Sequence, residues 1–180
     1  MNSNEEMGLF QAIEVRYSHK EAFLPDPVPM DHLRQIALAG ITAPSGANRQ
    51  TVRLIILPER ADVAPLYGMV DHVGLGSAPA AIALFTDGNT QTDTNNFEVE
   101  DYSAACENIL LAAAALGYSS LWLDYPFLSN ADVRHRAQAL MNAPDGFTLR
   151  VVIPIGRPDG PGSRREKMSY GERVFCRSFR

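Results

Sequence analysis

The chain has 180 residues, of which 46% are hydrophobic and 21% are charged, and this composition fits one globular domain over residues 1–180. Its formal net charge of −5 disfavours a nucleic-acid-binding protein, because such domains carry a concentrated basic surface. The N-terminal residues lack the basic and apolar regions of a secretory signal, and the longest apolar stretch is too short to span a bilayer, so we expect a cytoplasmic protein without a membrane partner.

The first predicted element is a helix over residues 3–15, which has a capping-box pattern at its first residues and apolar residues at helical spacing. The prolines in residues 24–29 exclude a helix or a central strand and predict an extended connector. Residues 31–39 predict a second helix, which Gly40 is expected to end.

Two short apolar runs, residues 52–57 and 80–85, are typical of strands buried between helices. Residues 87–96 are rich in Asn, Thr and Asp. Such a polar stretch predicts a surface loop.

The strongest helical pattern covers residues 101–116 and ends at Gly117. Past its first turn this helix is apolar nearly all round, which predicts a buried central helix with neighbours on every side. Cys106 lies within it and is expected to be a small core residue. Because Cys106 and Cys176 form no CxxC pair, neither a disulfide framework nor a metal site is predicted.

Three further elements are predicted: a strand over residues 120–123, a helix over residues 130–141 and a strand over residues 149–155. The alternation of helices and strands predicts an α+β fold with a three-layer α/β/α arrangement. The tail over residues 170–180 is apolar enough to pack on another surface.

The first polar segment, residues 16–20, offers two cations and a hydroxyl directly after a helix. Arg16, Ser18 and Lys20 alternate along a chain expected to be extended, so their side chains should project to one side. Arginine binds a phosphate through two hydrogen bonds and lysine supplies a compact charge, which suits a phosphate monoester. The alternative is a solvated helix end whose cations complement the helix dipole.

The second polar segment, residues 44–50, places Asn48 and Gln50 after a turn-forming stretch. An amide side chain both donates and accepts, as recognition of the edge of a pyrimidine or flavin requires. The alternative is an Asn48 that only holds a turn together. Taken together, the two segments predict a ligand with a phosphate at one end and a carbonyl-bearing ring at the other, and neither a glycine-rich dinucleotide motif nor a P-loop offers a competing site.

Four motifs in order resemble the flavin-dependent nitroreductases. Residues 16–20 are similar to that family's Arg-x-Ser-x-Lys/Arg opening, and residues 44–50 to its Pro-Ser-x-x-Asn-x-Gln motif. Residues 101–122 resemble its central helix and the strand that follows, and residues 152–158 its late strand ending in Gly-x-Pro. The resemblance covers nearly the whole chain and implies a nitroreductase-like FMN-binding fold, with a central mixed sheet and a buried central helix.

The resemblance also implies which residues would hold FMN. Arg16 and Ser18 would lie near its phosphate and ribityl chain, while Lys20 would stabilise negative charge at the N1/O2 edge of the ring. Asn48 would hydrogen-bond the pyrimidine edge or the ribityl chain. The other implied cofactor-binding residues are Tyr17, Pro44, Ser45 and Gln50, with Arg164 or Arg165 closing over the phosphate.

The implied activity is that of an FMN-dependent NAD(P)H oxidoreductase. Hydride would pass from NADH or NADPH to flavin N5 and then to a nitroaromatic, quinone or similar electrophile, in ping-pong order and without a side-chain nucleophile or base. The family is homodimeric with two flavins at the interface, so some contacts would come from opposite chains and residues 170–180 would reach the partner. Two alternatives stay open: another flavin reaction, such as dehydrogenation, dehalogenation or flavin destruction, and a non-enzymatic flavin-binding or regulatory protein.

The chain departs from the family pattern at two places. Thr51 and Val52 stand where a proline and an aromatic residue are common. The Asp124-Tyr125-Pro126 sequence stands where a glycine is common, in a region that donates a backbone N–H to flavin N5. Since Pro126 has no N–H, Asp124 or Tyr125 is expected to donate it.

The loop over residues 87–96, together with residues 69–76, is expected to shape the choice of electron acceptor, because loops on a fixed scaffold commonly set specificity. The alternative is an exposed loop without a function. The scattered histidines are expected to be surface or structural residues rather than catalysts.

Overall fold

The computed structural model describes residues 7–87 and 97–179. The first residues of the helix predicted over residues 3–15, nearly all of the loop predicted over residues 87–96 and the last residue of the tail lie outside the described residues. The elements follow in the order α1 (Leu9–Val15), α2 (Met30–Ile41), a single 3-10 turn (Gly46–Asn48), β1 (Val52–Leu57), α3 (Arg60–Val70), α4 (Val73–Ser77), β2 (Ala80–Asp87), α5 (Glu98–Ala115), β3 (Ser119–Ser120), α6 (Tyr125–Ser129), α7 (Ala131–Leu140), β4 (Phe147–Gly156) and α8 (Tyr170–Arg173).

The four strands form one sheet in the order β1-β2-β4-β3, and each neighbouring pair is antiparallel. Parallel pairing enters at an isolated bridge between Ser18 and Ser120, which joins the first polar segment to the chain at β3. Helices α2 and α5 pack on one face of the sheet, and α3, α4, α6 and α7 on the other. This arrangement confirms the predicted α+β fold with three layers.

Strand β4 contains a bulge, and because of it the side chains of Leu149 and Val151 lie on opposite faces of the sheet. Leu149 pairs with Phe85 and Val151 pairs with Leu84, so Arg150 is the extra residue between them. As a result Leu149 belongs to the core beneath α3 and α7, whereas Val151 belongs to the core beneath α2 and α5.

Arg150 directs its guanidinium group to the buried start of α5. Its Nε atom donates to Thr86 Oγ1 at 2.9 Å and to Glu98 Oε1 at 3.0 Å. Its Nη2 atom forms an ion pair with the Glu98 carboxylate, which also accepts a hydrogen bond from Thr86. The Arg150 side chain therefore supplies the positive charge that a carboxylate only 5% exposed requires.

Helix α5 is the buried central helix that the sequence predicts. Ile109 and Ala113 are fully buried, and Gly117 follows the helix with a positive φ of 78°. Cys106 is also fully buried, and this burial raises the pKa of its thiol, as expected of a core residue rather than a reactive one. The helix begins at Glu98, three residues before the predicted start at residue 101.

The prediction that Gly40 ends the second helix is wrong, because α2 continues to Ile41 and Gly40 lies inside it. A Cβ atom at this position would lie 2.7 Å from Ile109 Cγ1 and 3.2 Å from Leu54 Cδ1. Gly40 thus allows α2 to approach α5 and β1 closely, which is a packing role rather than a terminating one.

Several predicted boundaries need correction. Residues 7 and 8 precede α1 instead of belonging to it, since Gly8 is extended and glycine disfavours a helix. The strand predicted over residues 120–123 is regular only at Ser119–Ser120, after which contact with β4 resumes at Leu123, whose N–H donates to Val152 O at 3.2 Å. Strands β2 and β4 extend beyond the predicted residues 80–85 and 149–155, and α7 is one residue shorter at each end than the predicted residues 130–141.

Helices α3, α4, α6 and α8 have no counterpart among the predicted helices. Residues 69–76, which the sequence analysis groups with the polar loop, form the end of α3 and most of α4. Over the residues described, no helix is both long and apolar enough to cross a membrane.

Candidate functional site

The first polar segment lies along the sheet beside β3. The His19 N–H donates to Ser120 O at 3.0 Å, next to the Ser18–Ser120 bridge. His19 is only 1% exposed, whereas Ser18 and Lys20 are exposed on either side of it. The segment is therefore extended, with Ser18 and Lys20 exposed on either side of the buried His19, while Arg16 and Tyr17 are both half-buried.

A cavity of about 550 Å³ opens beside this segment and is lined by residues from 13–21 and from 163–167. Its volume is within the range of small-molecule sites. Two carboxylates, Glu14 and Glu21, and five cations contribute to the lining, so the cavity has an excess of positive charge in an acidic chain. We call it the cationic cavity, and its five cationic residues are Arg16, Lys20, Arg164, Arg165 and Lys167.

The predicted residues Arg164 and Arg165 are brought next to the first polar segment by the chain that follows β4. Arg164 Nη2 donates to the Arg16 carbonyl oxygen at 3.2 Å. Lys167 lines the same cavity, although the sequence analysis does not include it among the candidates. Its position in the basic stretch of residues 164–167 is the sequence feature by which Lys167 could have been recognised as a candidate.

The side chain of Arg16 is held on one side by a carboxylate. Its Nε atom lies 3.3 Å from Glu107 Oε1 of α5, in a pair whose side chains are 24% and 48% exposed. Since Nε faces Glu107, this contact orients the guanidinium group.

Tyr17 connects the first polar segment to β3 and to the later chain. The Ser119 hydroxyl donates to Tyr17 Oη at 3.2 Å. His19 Nε2 lies 2.8 Å from the Ala22 carbonyl oxygen, so it carries the proton, and Nδ1 is left to accept from the Tyr17 hydroxyl at 3.4 Å. A Cβ atom on Gly162 would lie 2.1 Å from the Tyr17 ring, which shows how closely the chain leading to Arg164 approaches it.

His72 is a partly buried histidine at the start of α4. Burial, and to a smaller extent the charge of Lys20, lowers the pKa of His72 from its ordinary value. Its Nδ1 atom accepts a hydrogen bond from the Gly74 N–H at 3.1 Å and caps α4. This contact gives His72 a structural role in α4.

The second polar segment lies apart from the lining of the cationic cavity, at the start of α5. Asn48 and Gln50 are exposed, and both have positive φ angles, of 56° and 50°. Ser45 is half-buried and its Oγ accepts a hydrogen bond from the Gln50 N–H at 3.0 Å, while Pro44 is exposed. The chain thus presents the two amide side chains to solvent, but it does not bring them together with Arg16 in one cavity.

Asp124 and Tyr125 lie at the start of α6. Asp124 is the residue before the helix, and its carboxylate accepts a hydrogen bond from the Trp122 indole N–H at 2.9 Å. Tyr125 is the first helical residue and is 76% exposed. The Trp122 ring lies 6.3 Å from the Tyr102 ring, which places this region beside the first half of α5.

Within residues 7–87 and 97–179, no group of three or more His, Cys, Asp or Glu residues is arranged to hold a metal ion. The cations of the cationic cavity instead make an anion the fitting ligand.

Comparison with known proteins relates this fold and these residues to a family. The model of the family described as "Nitroreductase family" matches residues 13–75 and 66–157. A protein of Archaeoglobus fulgidus named "Putative NADH dehydrogenase/NAD(P)H nitroreductase" is 31% identical over 135 residues, which are 71% of this chain and 73% of that protein.

Two solved structures are similar to this chain over almost their whole length. A protein of Bacteroides thetaiotaomicron with the same name has a TM-score of 0.80 at 23% identity, over 94% of this chain and 98% of that one. A protein of Desulfovibrio desulfuricans, described as "a putative nitroreductase in complex with fmn", has a TM-score of 0.75 at 27% identity, over 97% of this chain and 99% of that one. The fold and the matched residues confirm the resemblance drawn from the four motifs: the chain belongs to the Nitroreductase family.

Proposed function

We propose that this protein is an FMN-dependent oxidoreductase that uses NADH or NADPH to reduce a nitroaromatic, a quinone or a similar electrophile in the cytoplasm. Membership of the Nitroreductase family supports an oxidoreductase activity. The name of the Archaeoglobus relative supports a nicotinamide substrate, and the description of the Desulfovibrio relative supports FMN as the cofactor.

The observation that carries the proposal is the cationic cavity beside the first polar segment. Five cations and only two carboxylates line it, which fits the dianionic phosphate end of FMN. A hydroxyl from Ser18 and the exposed ammonium group of Lys20 lie on the same extended segment. This donor set matches a ligand that carries a phosphate and polar groups along a chain.

The roles of the residues follow from their chemistry. Arg16 and Ser18 bind the phosphate and the ribityl chain, and Lys20 stabilises negative charge at the N1/O2 edge of the ring. Arg164 or Arg165 closes over the phosphate, since the contact of Arg164 with the Arg16 carbonyl oxygen holds it at the cavity. Tyr17 supports this arrangement from beneath the segment.

The ring end of the cofactor is assigned to the second polar segment and to the start of α6. Asn48 hydrogen-bonds the pyrimidine edge or the ribityl chain, with Pro44, Ser45 and Gln50 beside it. The N–H of Tyr125 is a donor without a partner inside its own helix, because it is the first helical residue. Together with the Asp124 N–H it is a candidate for the hydrogen bond to flavin N5.

The chemistry that FMN supplies when bound is hydride acceptance at N5 from a reduced nicotinamide and hydride donation to a second substrate, in ping-pong order. The protein binds and orients the reactants and stabilises charge, and no side-chain nucleophile or base is assigned. Residues 69–76 and 87–96 are proposed to shape the choice of acceptor.

The proposed assembly is a homodimer of single-domain chains over residues 1–180, in which the second polar segment of one chain contributes to the site of its partner. Large apolar side chains exposed on α1 and α2 support this assembly, since exposed apolar surface commonly marks an interface. They include Phe10 at 85% and Leu38 at 60% exposure. In the tail over residues 170–180, proposed to pack on the partner, Phe179 is 88% exposed.

The absorbance spectrum of the purified protein tests the proposal. We expect bound FMN with a visible flavin band that bleaches under anaerobic conditions when NADH or NADPH is added and returns when an electrophilic acceptor follows. A protein that takes up no added FMN would contradict the proposal. A bound flavin that neither nicotinamide bleaches would instead support a non-enzymatic flavin-binding protein.

Substituting Gly162 by alanine tests the contact between Tyr17 and the later chain. We expect about tenfold weaker FMN binding, because the new methyl group overlaps the Tyr17 ring and must displace it or the chain that carries Arg164. The measurement is quenching of flavin fluorescence on titration. Gly68→Ala is the matched control, since Gly68 lies in α3 outside the cavity lining and a Cβ atom there has no neighbour within 4 Å. Equal affinities of the two variants would rule out this contact as a support of the site.

A further inference from the structure

Asp101 is a buried carboxylate that holds the second polar segment at Gly46 and at Thr51, the residue directly after the segment. It lies in the first turn of α5 and is 2% exposed. Its Oδ1 atom accepts a hydrogen bond from the Gly46 N–H at 2.7 Å, and its Oδ2 atom accepts one from the Thr51 hydroxyl at 2.8 Å. A single side chain thus holds the chain on both sides of residues 47–50.

The segment between these two contacts has an unfavourable backbone conformation. Ala47, Asn48 and Gln50 have φ angles of 50°, 56° and 50°, in the left-handed region that residues with a Cβ atom seldom adopt. Such a conformation persists only where the surroundings hold it. The segment therefore needs fixed contacts at its ends.

Other contacts also act on the segment: Arg53 Nη1 donates to the Gln50 carbonyl oxygen at 2.6 Å, and the Asp87 N–H donates to the Thr51 carbonyl oxygen at 3.0 Å. The hydrogen bond from the Gln50 N–H to Ser45 Oγ lies within the segment itself. The Phe97 ring packs against Gly46, where a Cβ atom would lie 2.2 Å from it, but this contact restrains one end only. Asp101, on the buried helix at the centre of the fold, contacts the chain both before and after residues 47–50.

We propose that Asp101 is a positioning residue, which holds the second polar segment in the conformation that presents Asn48 and Gln50 to the ring end of the cofactor. The inference rests on the proposed function, because it assumes that these amides meet FMN. Asp101 itself does not contact the ligand. Its carboxylate acts through the backbone of the segment and through Thr51.

The chemistry of the two contacts predicts a graded series of variants. Asp101→Ala removes both acceptors. Asp101→Asn keeps the shape and one acceptor oxygen for the Gly46 N–H, and the Thr51 hydroxyl can rotate to accept from the new NH₂ group. Thr51→Val keeps the shape of Thr51 and removes the hydroxyl contact alone.

The experiment titrates FMN into the full chain and its variants and also measures how strongly inorganic phosphate competes. We expect affinity for FMN to fall about tenfold or more in Asp101→Ala and by a smaller factor in Asp101→Asn and Thr51→Val, because hydrogen bonds to a charged group are lost or replaced by neutral ones. The inhibition constant of phosphate should not change, since the cationic cavity lies apart from Asp101. At saturation, the visible spectrum of flavin bound to Asp101→Ala should move towards that of free FMN.

The outcomes separate this inference from the proposed function. If the unaltered protein binds no FMN, both are overturned. If it binds FMN and Asp101→Asn and Thr51→Val bind it as tightly with the same spectrum, the role of Asp101 alone is overturned. A parallel loss of FMN and phosphate binding in all three variants also overturns it, because general damage to the fold would then explain the result. If Asp101→Ala fails to fold, the FMN affinities of Asp101→Asn and Thr51→Val still test the role of Asp101.

Discussion

Replacing Arg150 by methionine is expected to lower the free energy of unfolding by about 3–5 kcal/mol. The substitution removes the cation that pairs with the Glu98 carboxylate, which is 5% exposed, and leaves that charge in the interior. It also removes the hydrogen bond from Arg150 Nε to Thr86 Oγ1. The measurement is urea denaturation at neutral pH, followed by circular dichroism.

Two further sets of substitutions isolate the effect of the buried ion pair. Arg34→Met removes an ion pair with Asp31 whose side chains are 69% and 90% exposed, and it should cost less than about 1 kcal/mol. The double variant Glu98→Leu with Arg150→Met removes both buried charges and should recover part of the lost stability. If Arg150→Met were no more destabilising than Arg34→Met, the buried ion pair would have no net role in the fold.

Replacing Arg16 by alanine is expected to weaken FMN binding about 10- to 100-fold, through the loss of a charge-assisted contact with the phosphate worth about 1.5–3 kcal/mol. Arg16 lines the cationic cavity and its side chain is 24% exposed, so the guanidinium group is accessible to a ligand. Flavin fluorescence titration measures the dissociation constant. The effect should shrink at high salt, because added ions screen a partly exposed charge.

The contact between Arg16 and Glu107 supplies the control. Glu107→Gln removes a carboxylate that competes with the phosphate for the same guanidinium group, so FMN should bind equally well or more tightly. Arg34→Ala, which changes an exposed arginine outside the cavity lining, should leave the affinity unchanged. Unchanged affinity in Arg16→Ala would remove this residue from the phosphate role.

Hydrophobic periodicity predicts those parts of the fold in which packing decides the structure. The buried run of α5 and the continuous apolar runs of β1 and β2 follow from their side chains alone, and all three elements contribute to the core. Pro65 lies inside α3 and disfavours a helix prediction there, and the capping box that starts this helix uses Glu59 and Asp62, which do not match the usual sequence pattern. The bulge at Arg150 depends on Glu98 and Thr86, which are distant in the sequence, so periodicity cannot predict it.

Some features of the candidate site can likewise be predicted from the sequence, and others cannot. The alternation of Arg16, Ser18 and Lys20 predicts a one-sided cationic row, because it needs only an extended backbone. Asp101 has the sequence signal of a residue near the start of a helix, and nothing local indicates that its carboxylate reaches Gly46 and Thr51. Such a role becomes visible only when the tertiary structure brings α5 and the second polar segment together.

The bridge between Ser18 and β3 has a further consequence for how the molecule is made. The chain around the first polar segment is held by partners far along the sequence: the Leu24 N–H donates to Arg157 O at 2.8 Å, and the Asp159 N–H donates to Ala22 O at 2.9 Å. Contacts of such long sequence separation form late in folding, because a large loop must close first. During synthesis on the ribosome, residues 16–24 therefore cannot form these hydrogen bonds until almost the entire chain has been made. Binding of the proposed FMN cofactor would then be one of the last steps in the maturation of a newly made chain.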